Sequence, residues 1–261
     1  MQSPASPIRH ASKRQRSVAL GRTRQISVFL AVLWLAIAGG VLPGPARAEV
    51  VDLELVFAVD ASGSVDPGEY QLQLNGIATA ITDAEVLQAI GRGTIGKIAV
   101  NMLVWAQAGH PKSETGWFTI GTPQEAAVFS NLVASFPRAQ RGGTGLGDGI
   151  AKSVTSILNN RFTAARMVID VSGDGRETPP RDHVVMLPQA RTMANYHGIT
   201  VNGLAILNDD PLLDTYYRNW MITGQGSFVE LAQDYRDFAR AMRKKLLREI
   251  EEQPIVSMRA E

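Results

Sequence analysis

The chemistry-bearing residues of this chain begin with a single stretch, Leu53 to Ser64, LELVFAVDASGS. A run of Leu, Val, Phe and Ala ends abruptly in Asp60, Ser62 and Ser64. The apolar half predicts a strand buried on both faces, as in a parallel sheet. The polar half predicts the loop that leaves the strand's C-terminal end, the edge of an open α/β sheet where ligands bind. One carboxylate and two hydroxyls crowd into that loop, and Gly63 lets it fold back on itself. Hard oxygen donors of this kind suit Mg²⁺, Mn²⁺ or Ca²⁺ and do not suit zinc or copper.

The Asp-x-Ser-x-Ser pattern at the end of a first buried strand resembles the metal-ion-dependent adhesion site of von Willebrand factor A (vWA) domains. In that family a Thr from a second loop and an Asp from a third complete the site. Here GGTGLGDGI offers Thr144 and MVIDVSGDG offers Asp174, in the family's order. The resemblance covers roughly Val51 to Leu247. It implies a metal site of Asp60, Ser62, Ser64, Thr144 and Asp174, with Mg²⁺ the first choice of cation and Mn²⁺ or Ca²⁺ compatible. It also implies that the hydroxyls bind the ion directly or through water, and that the two Asp act mostly through water. Two carboxylates balance a divalent charge on paper and leave the ion electrophilic. An open position would then attract an Asp or Glu carboxylate from a protein partner. One departure is visible. Many family members carry Thr-Asp-Gly where this chain has Gly173-Asp174-Gly175, so a hydroxyl beside Asp174 is missing.

Taken singly, each of these residues could cap a helix or satisfy a turn. Two other readings share the same five residues. One is a metal-dependent hydrolase of phosphate or sugar esters, which would need a general base near Asp60. The other is a structural domain with a vestigial site. Catalysis has little else to draw on. His110, His183 and His197 fall in separate loops or helix ends, and no Gly-x-Ser-x-Gly elbow is present. Gly91-Arg-Gly-Thr-Ile-Gly96-Lys97 has the glycine and lysine spacing of a phosphate-binding loop, but Ile98 replaces the Ser or Thr and a strand follows. Asp170-x-Ser172-x-Asp174-Gly175 begins like an EF-hand loop, yet its twelfth position is Arg181. Asp60-Ala61-Ser62 lacks the second carboxylate of a haloacid dehalogenase-type phosphatase. Asp170 lies within the strand, so Asp174 is the better ligand.

These loops need elements to place them. Asp66-Pro67 opens a helix that runs, with an interruption, to about Ile90. Lys97 to Ala106 predicts a second buried strand and Thr115 to Ile120 a short edge strand. Thr122-Pro123 opens a helix to about Phe136, and Leu146 to Leu158 forms the next. Ala165 to Ser172 and Ile199 to Leu207 predict buried strands, with a helix from about Asp182 to Tyr196 between them and Gly198 as its cap. The span from Asp214 to Gly226 carries no clear pattern and has room for one helical turn, and Ser227 to Leu231 is compatible with a last short strand. Gln233 to Glu251 predicts a long helix with Tyr235, Phe238, Met242 and Leu246 on one face. The charged run Arg243 to Glu252 reads as its solvated face, and Trp105, Tyr216 and Tyr217 as packing residues. Alternating strands and helices predict an α/β fold: a doubly wound, mostly parallel central sheet flanked by helices, vWA or Rossmann-like.

The first 48 residues stand apart. They hold seven basic residues and no acid, an apolar core from Ile26 to Leu42, and Ala46-Arg47-Ala48. This predicts a signal peptide cleaved after Ala48, a vWA-like domain over 49–251 and a tail over 252–261. The expected location is periplasmic or secreted, with no stable membrane span after cleavage. Taking those seven from the 26 basic residues leaves 19 against 25 acidic, a net charge of −6 on the mature chain. That balance excludes nucleic acid as a partner. The absence of Cys excludes thiol chemistry and disulfides.

Overall fold

The computed structural model describes residues 48–179 and 183–251. The expected leader and tail lie outside them. β1 (Glu49–Asp60) is buried on both faces from Leu53 onward. It pairs in parallel with β2 (Ile98–Trp105), which is buried along its whole length. β3 (Ser113–Glu114) and β4 (Phe118–Ile120) run antiparallel to β2 on its outer side. They replace the single edge strand expected at Thr115 to Ile120, because Gly116 between them takes φ +78 and breaks the extended path. β5 (Phe162–Gly173) pairs with β1 on the other side, β6 (Thr200–Ile206) follows, and β7 (Val229–Ala232) closes the far edge, all in parallel. The order is β3-β2-β1-β5-β6-β7, with β4 also on β2. Chain progression thus reverses direction at the β1–β5 pair, the place where an open α/β sheet forms a crevice at its carboxyl edge.

Helices cover both faces. α1 (Pro67–Ile81) starts at Asp66, whose carboxylate accepts the Glu69 N–H while Glu69 accepts the Asp66 N–H, a reciprocal cap. It breaks at Thr82, and Asp83 caps α2 (Ala84–Gly91), the interruption expected in this helix. α3 (Pro123–Ala134) opens with the same device from Thr122 and Glu125. α4 (Leu146–Leu158) and α5 (Leu187–Tyr196) follow, then α6 (Leu213–Tyr216), a π-helical turn at Tyr217–Met221, and α7 (Phe238–Glu251). Alternation along the strands sorts the core into two layers. Leu55, Phe57 and Val59 of β1 meet Leu74 and Ile77 of α1, Phe129 of α3 and Phe238 and Met242 of α7. Val56 and Ala58 meet Ile150 and Val154 of α4, Ala190 of α5 and Tyr217. Each such buried aliphatic or aromatic side chain contributes about 1.5–3 kcal/mol.

Three expectations need correction. α5 begins at Leu187 rather than near Asp182, where Glu177 accepts the Leu187 N–H. α7 begins at Phe238 rather than Gln233, because the Asp234 carboxylate caps a turn through the N–H groups of Arg236 and Asp237. The charged run on α7 is also not uniformly solvated. Lys245 and Glu249 are fully buried, and Lys245 Nζ lies 2.8 Å from Asp170 of β5 and 2.5 Å from Glu249. Asn202 of β6 donates to the same Glu249 carboxylate at 2.8 Å, so the pair sits in a polar pocket between sheet and helix. Among the described residues no helix is long and apolar enough to cross a membrane.

Candidate metal centre

The carboxyl ends of β1 and β5 lie side by side, with Val59 in register with Ser172. Asp60 is the last residue of β1 and Asp174 the first after β5. Asp60 Oδ1 accepts the Ser62 N–H at 2.6 Å, which folds the loop back over the strand end. Ser62 Oγ is 3.2 Å from Ser64 Oγ, and Ser64 Oγ donates to Asp174 Oδ1 at 2.8 Å. Thr144, just before α4, approaches Ser62 Oγ at 3.5 Å through its own hydroxyl. All five residues named from the sequence therefore meet at one rim, Ser64 on its exposed side and the other four buried. Asp170 does not join them; it faces α7 and Lys245.

Four supports hold the loops. Arg138 Nη2 donates to the carbonyls of Ala61, Ser62 and Val65, a cationic staple around the first loop. Gly142, at φ +113, turns its carbonyl onto the Gly63 N–H at 2.7 Å. Gln73 of α1 donates to the Asp60 carbonyl at 3.0 Å and accepts from Ser172 Oγ at 3.3 Å. Thr178 makes two bonds to the Thr144 backbone, 2.9 and 3.0 Å. Beside it, Glu177 accepts the N–H groups of Gly147 in α4 and Leu187 in α5, joining two helix N-termini to the loop that carries Asp174.

The electrostatics of this rim are set by burial and by the closeness of two acids. Burial first, and then the negative charge of Asp174, push the Asp60 carboxyl up to about 7. The Ser62 bonds and the Arg138 charge act the other way and are outweighed. Asp60 Oδ2 and Asp174 Oδ2 are both buried without a hydrogen-bond partner. Two phenols stand close. Burial, then the charges of Asp60 and Asp174, push Tyr217 up, and burial followed by Asp174 and Asp60 does the same to Tyr235. Among the described residues no three His, Cys, Asp or Glu side chains gather as a metal cage. The rim is instead two carboxylates and three hydroxyls, a donor set that fits a hard cation with positions left over. His110 and His183 are exposed and His197 caps α5.

Arg138, Gln73, Tyr217 and Tyr235 were not identified from sequence as part of this site. Tyr217 sits in an uninformative span, Tyr235 fits an apolar helix face, and Arg138 and Gln73 act over 76 and 13 residues with no local motif.

The sequence profile of a family described as a protein of unknown function, DUF1194, matches residues 50–254. No curated protein matches the chain. Solved structures share the architecture at low identity. The pilus adhesin SpaC from Lactobacillus rhamnosus GG is 14% identical with a TM-score of 0.56, covering 79% of this chain and 32% of its own. The minor pilin PilB from Streptococcus sanguinis is 13% identical at a TM-score of 0.51, covering 82% and 64%. Proximal thread matrix protein 1 from the mussel byssus is 14% identical at a TM-score of 0.50, covering 78% and 46%. The chain thus spans about a third of SpaC and under two thirds of the other two. The fold is vWA-like, a doubly wound and mostly parallel sheet between helices.

Proposed function

The chain belongs to the DUF1194 family, and from the chemistry of its rim we propose that it is an exported binding domain that takes a divalent cation and, through it, a carboxylate of a protein partner. Asp60, Ser62, Ser64, Thr144 and Asp174 would hold the ion. The carrying observation is the pair of buried carboxylate oxygens, Asp60 Oδ2 and Asp174 Oδ2, that have no well-formed hydrogen bond at the rim where the Ser62, Ser64 and Thr144 hydroxyls meet. A buried anion without a partner is costly, and a cation removes that cost. When bound, the ion supplies a Lewis-acidic position for an Asp or Glu of the partner. The chain's own residues orient it: Arg138 fixes the first loop, Thr178 the second and Glu177 the third. Mg²⁺ suits a site of few carboxylates, with Mn²⁺ and Ca²⁺ as alternatives.

Two further points support partner binding outside the cytoplasm. The chain opens with a basic region, an apolar core and an Ala-x-Ala site. The structural neighbours are, by name, a pilus adhesin and a minor pilin. Titration calorimetry of residues 49–261 with Mg²⁺ and Mn²⁺ tests the cation. Binding is expected for the wild type and none for Asp60→Ala. Capture from native envelope extract with and without chelator, using Asp60→Ala as control, tests the partner. Cation binding equal in both proteins, or capture indifferent to chelator, contradicts the reading.

A further inference from the structure

We propose that Tyr217 is a positioning residue of the cation site: its phenol hydroxyl lies over Gly173 and steadies the Asp60 carboxylate for the ion. The inference rests on the cation reading above.

Gly173 is the last residue of β5. A Cβ added there would stand 2.9 Å from Asp60 Oδ2 and 2.9 Å from the Tyr217 hydroxyl. Both contacts are closer than real Cβ atoms make, so a side chain here would push one or both of these side-chain ends aside, and glycine leaves the small volume between them open. Any side chain on residue 173 would occupy it. In this chain the volume is bordered by a hydroxyl that arrives from 44 residues downstream.

Tyr217 is aimed there by its surroundings. It is the first residue of the π-helical turn and is fully buried. A π-helical turn rotates its side chains out of α-helical phase and often marks a functional position. Gly203 of β6 gives the ring its room, since a Cβ on it would stand 3.0 Å from Tyr217 Cδ2. Packing alone does not account for the hydroxyl. Its hydrogen bond to the Gly175 carbonyl is long, 3.5 Å, and a buried Tyr hydroxyl ordinarily finds a full partner. A Phe would fill the same space without leaving a polar atom half-satisfied. Asp60 Oδ2, meanwhile, is a buried acceptor with no donor. A hydroxyl standing across the Gly173 gap from that oxygen, bonded to the Gly175 carbonyl and not to Asp60, is placed to steady the group that serves a cation, as outer partners of metal ligands do.

The test is titration calorimetry with Mn²⁺ on wild type, Asp60→Ala and Tyr217→Phe, with the melting temperature of each recorded in chelator. Tyr217→Phe is expected to bind Mn²⁺ about tenfold more weakly, while its melting temperature in chelator stays at the wild-type value. A purely structural phenol would lower the chelator melting temperature and leave the affinity alone, and that result overturns the proposal. Wild-type affinity in Tyr217→Phe overturns it too, and leaves the cation reading intact. Absence of Mn²⁺ binding in the wild type overturns the cation reading itself and this proposal with it. Should Tyr217→Phe not fold, Tyr217→Met serves in its place, an apolar side chain without the hydroxyl, and the same loss of affinity is expected.

Discussion

On the proposed cation reading, Asp60 and Asp174 make the stability of the rim depend on whether an ion is bound. Each carboxylate has one oxygen in a hydrogen bond and one without. Without an ion, the Asp60 charge is opposed by burial and by Asp174. Asp60→Asn keeps the shape and an oxygen to accept the Ser62 N–H, and removes the charge. In chelator this variant is expected to be more stable than wild type, by about 1–3 kcal/mol. In saturating Mg²⁺ the order reverses, because the wild type gains an ion that the variant cannot hold. Urea denaturation of both proteins in each condition reads the two signs. An Asn variant less stable than wild type in chelator would mean that the carboxylate is already well served without a cation. The five rim residues were legible in the sequence because oxygen donors at the ends of apolar runs form local patterns. Tyr217 and Arg138 were not, since their roles exist only after distant segments meet. Gly173 carried a trace of the former: the missing hydroxyl beside Asp174 was visible, and what stands near its place was not.

At the scale of elements, α7 is bolted to the sheet by charge as well as by its apolar stripe. Lys245 stands seven residues after Phe238 and Glu249 seven after Met242, so both share the buried stripe of that helix. Their spacing therefore announced burial, and residue type argued the opposite. Long charged side chains are almost never fully buried unless paired, and the partner, Asp170, lies 75 residues upstream on β5. The strands were easier to read because burial on both faces demands unbroken apolar runs, a signal that needs no partner. Lys245→Met leaves Asp170 and Glu249 as buried acids without their cation, at an expected cost of about 3–5 kcal/mol. Adding Asp170→Asn and Glu249→Gln removes those charges while Asn202 keeps its acceptor. The triple variant is expected to recover most of the loss, since a satisfied apolar or neutral core can match a buried ion network. Urea denaturation of the single and triple variants separates this account from one in which the lysine stem is the main contributor. In that case the triple variant stays as unstable as the single.

Across the whole molecule the acids divide by depth, and the division sets a pH of greatest stability. Inside, burial raises Glu54 despite its Asn160 bond, and burial raises Asp170 to about 7 even though Lys245 opposes it. Nearer the surface, Glu125 is lowered, chiefly by the Gly121 N–H. Desolvation works against Glu114, but Lys152, Ser156 and Asn101 hold it below its ordinary value. Asp210 is lowered by Arg176, and Asp234 and Asp237 by Arg236 and Arg240. A raised carboxyl binds its proton more tightly when folded, so its contribution is complete below the unfolded value and fades as pH rises toward about 7. A lowered carboxyl does the reverse: its contribution is present above the unfolded value and is lost as pH falls through its folded one. The two limbs meet near the ordinary carboxylate values of 3.8 and 4.5, so the stability maximum lies close to them, and stability falls as pH rises from there toward about 7. Denaturant unfolding from pH 3 to 8 locates it, with chelator present and on the Asp60→Asn chain so that the rim acid is out of the titration. A stability that climbs steadily through pH 7 would show that Lys245 already holds Asp170 fully ionised. The interior network would then be a satisfied ion pair rather than a core that keeps a proton.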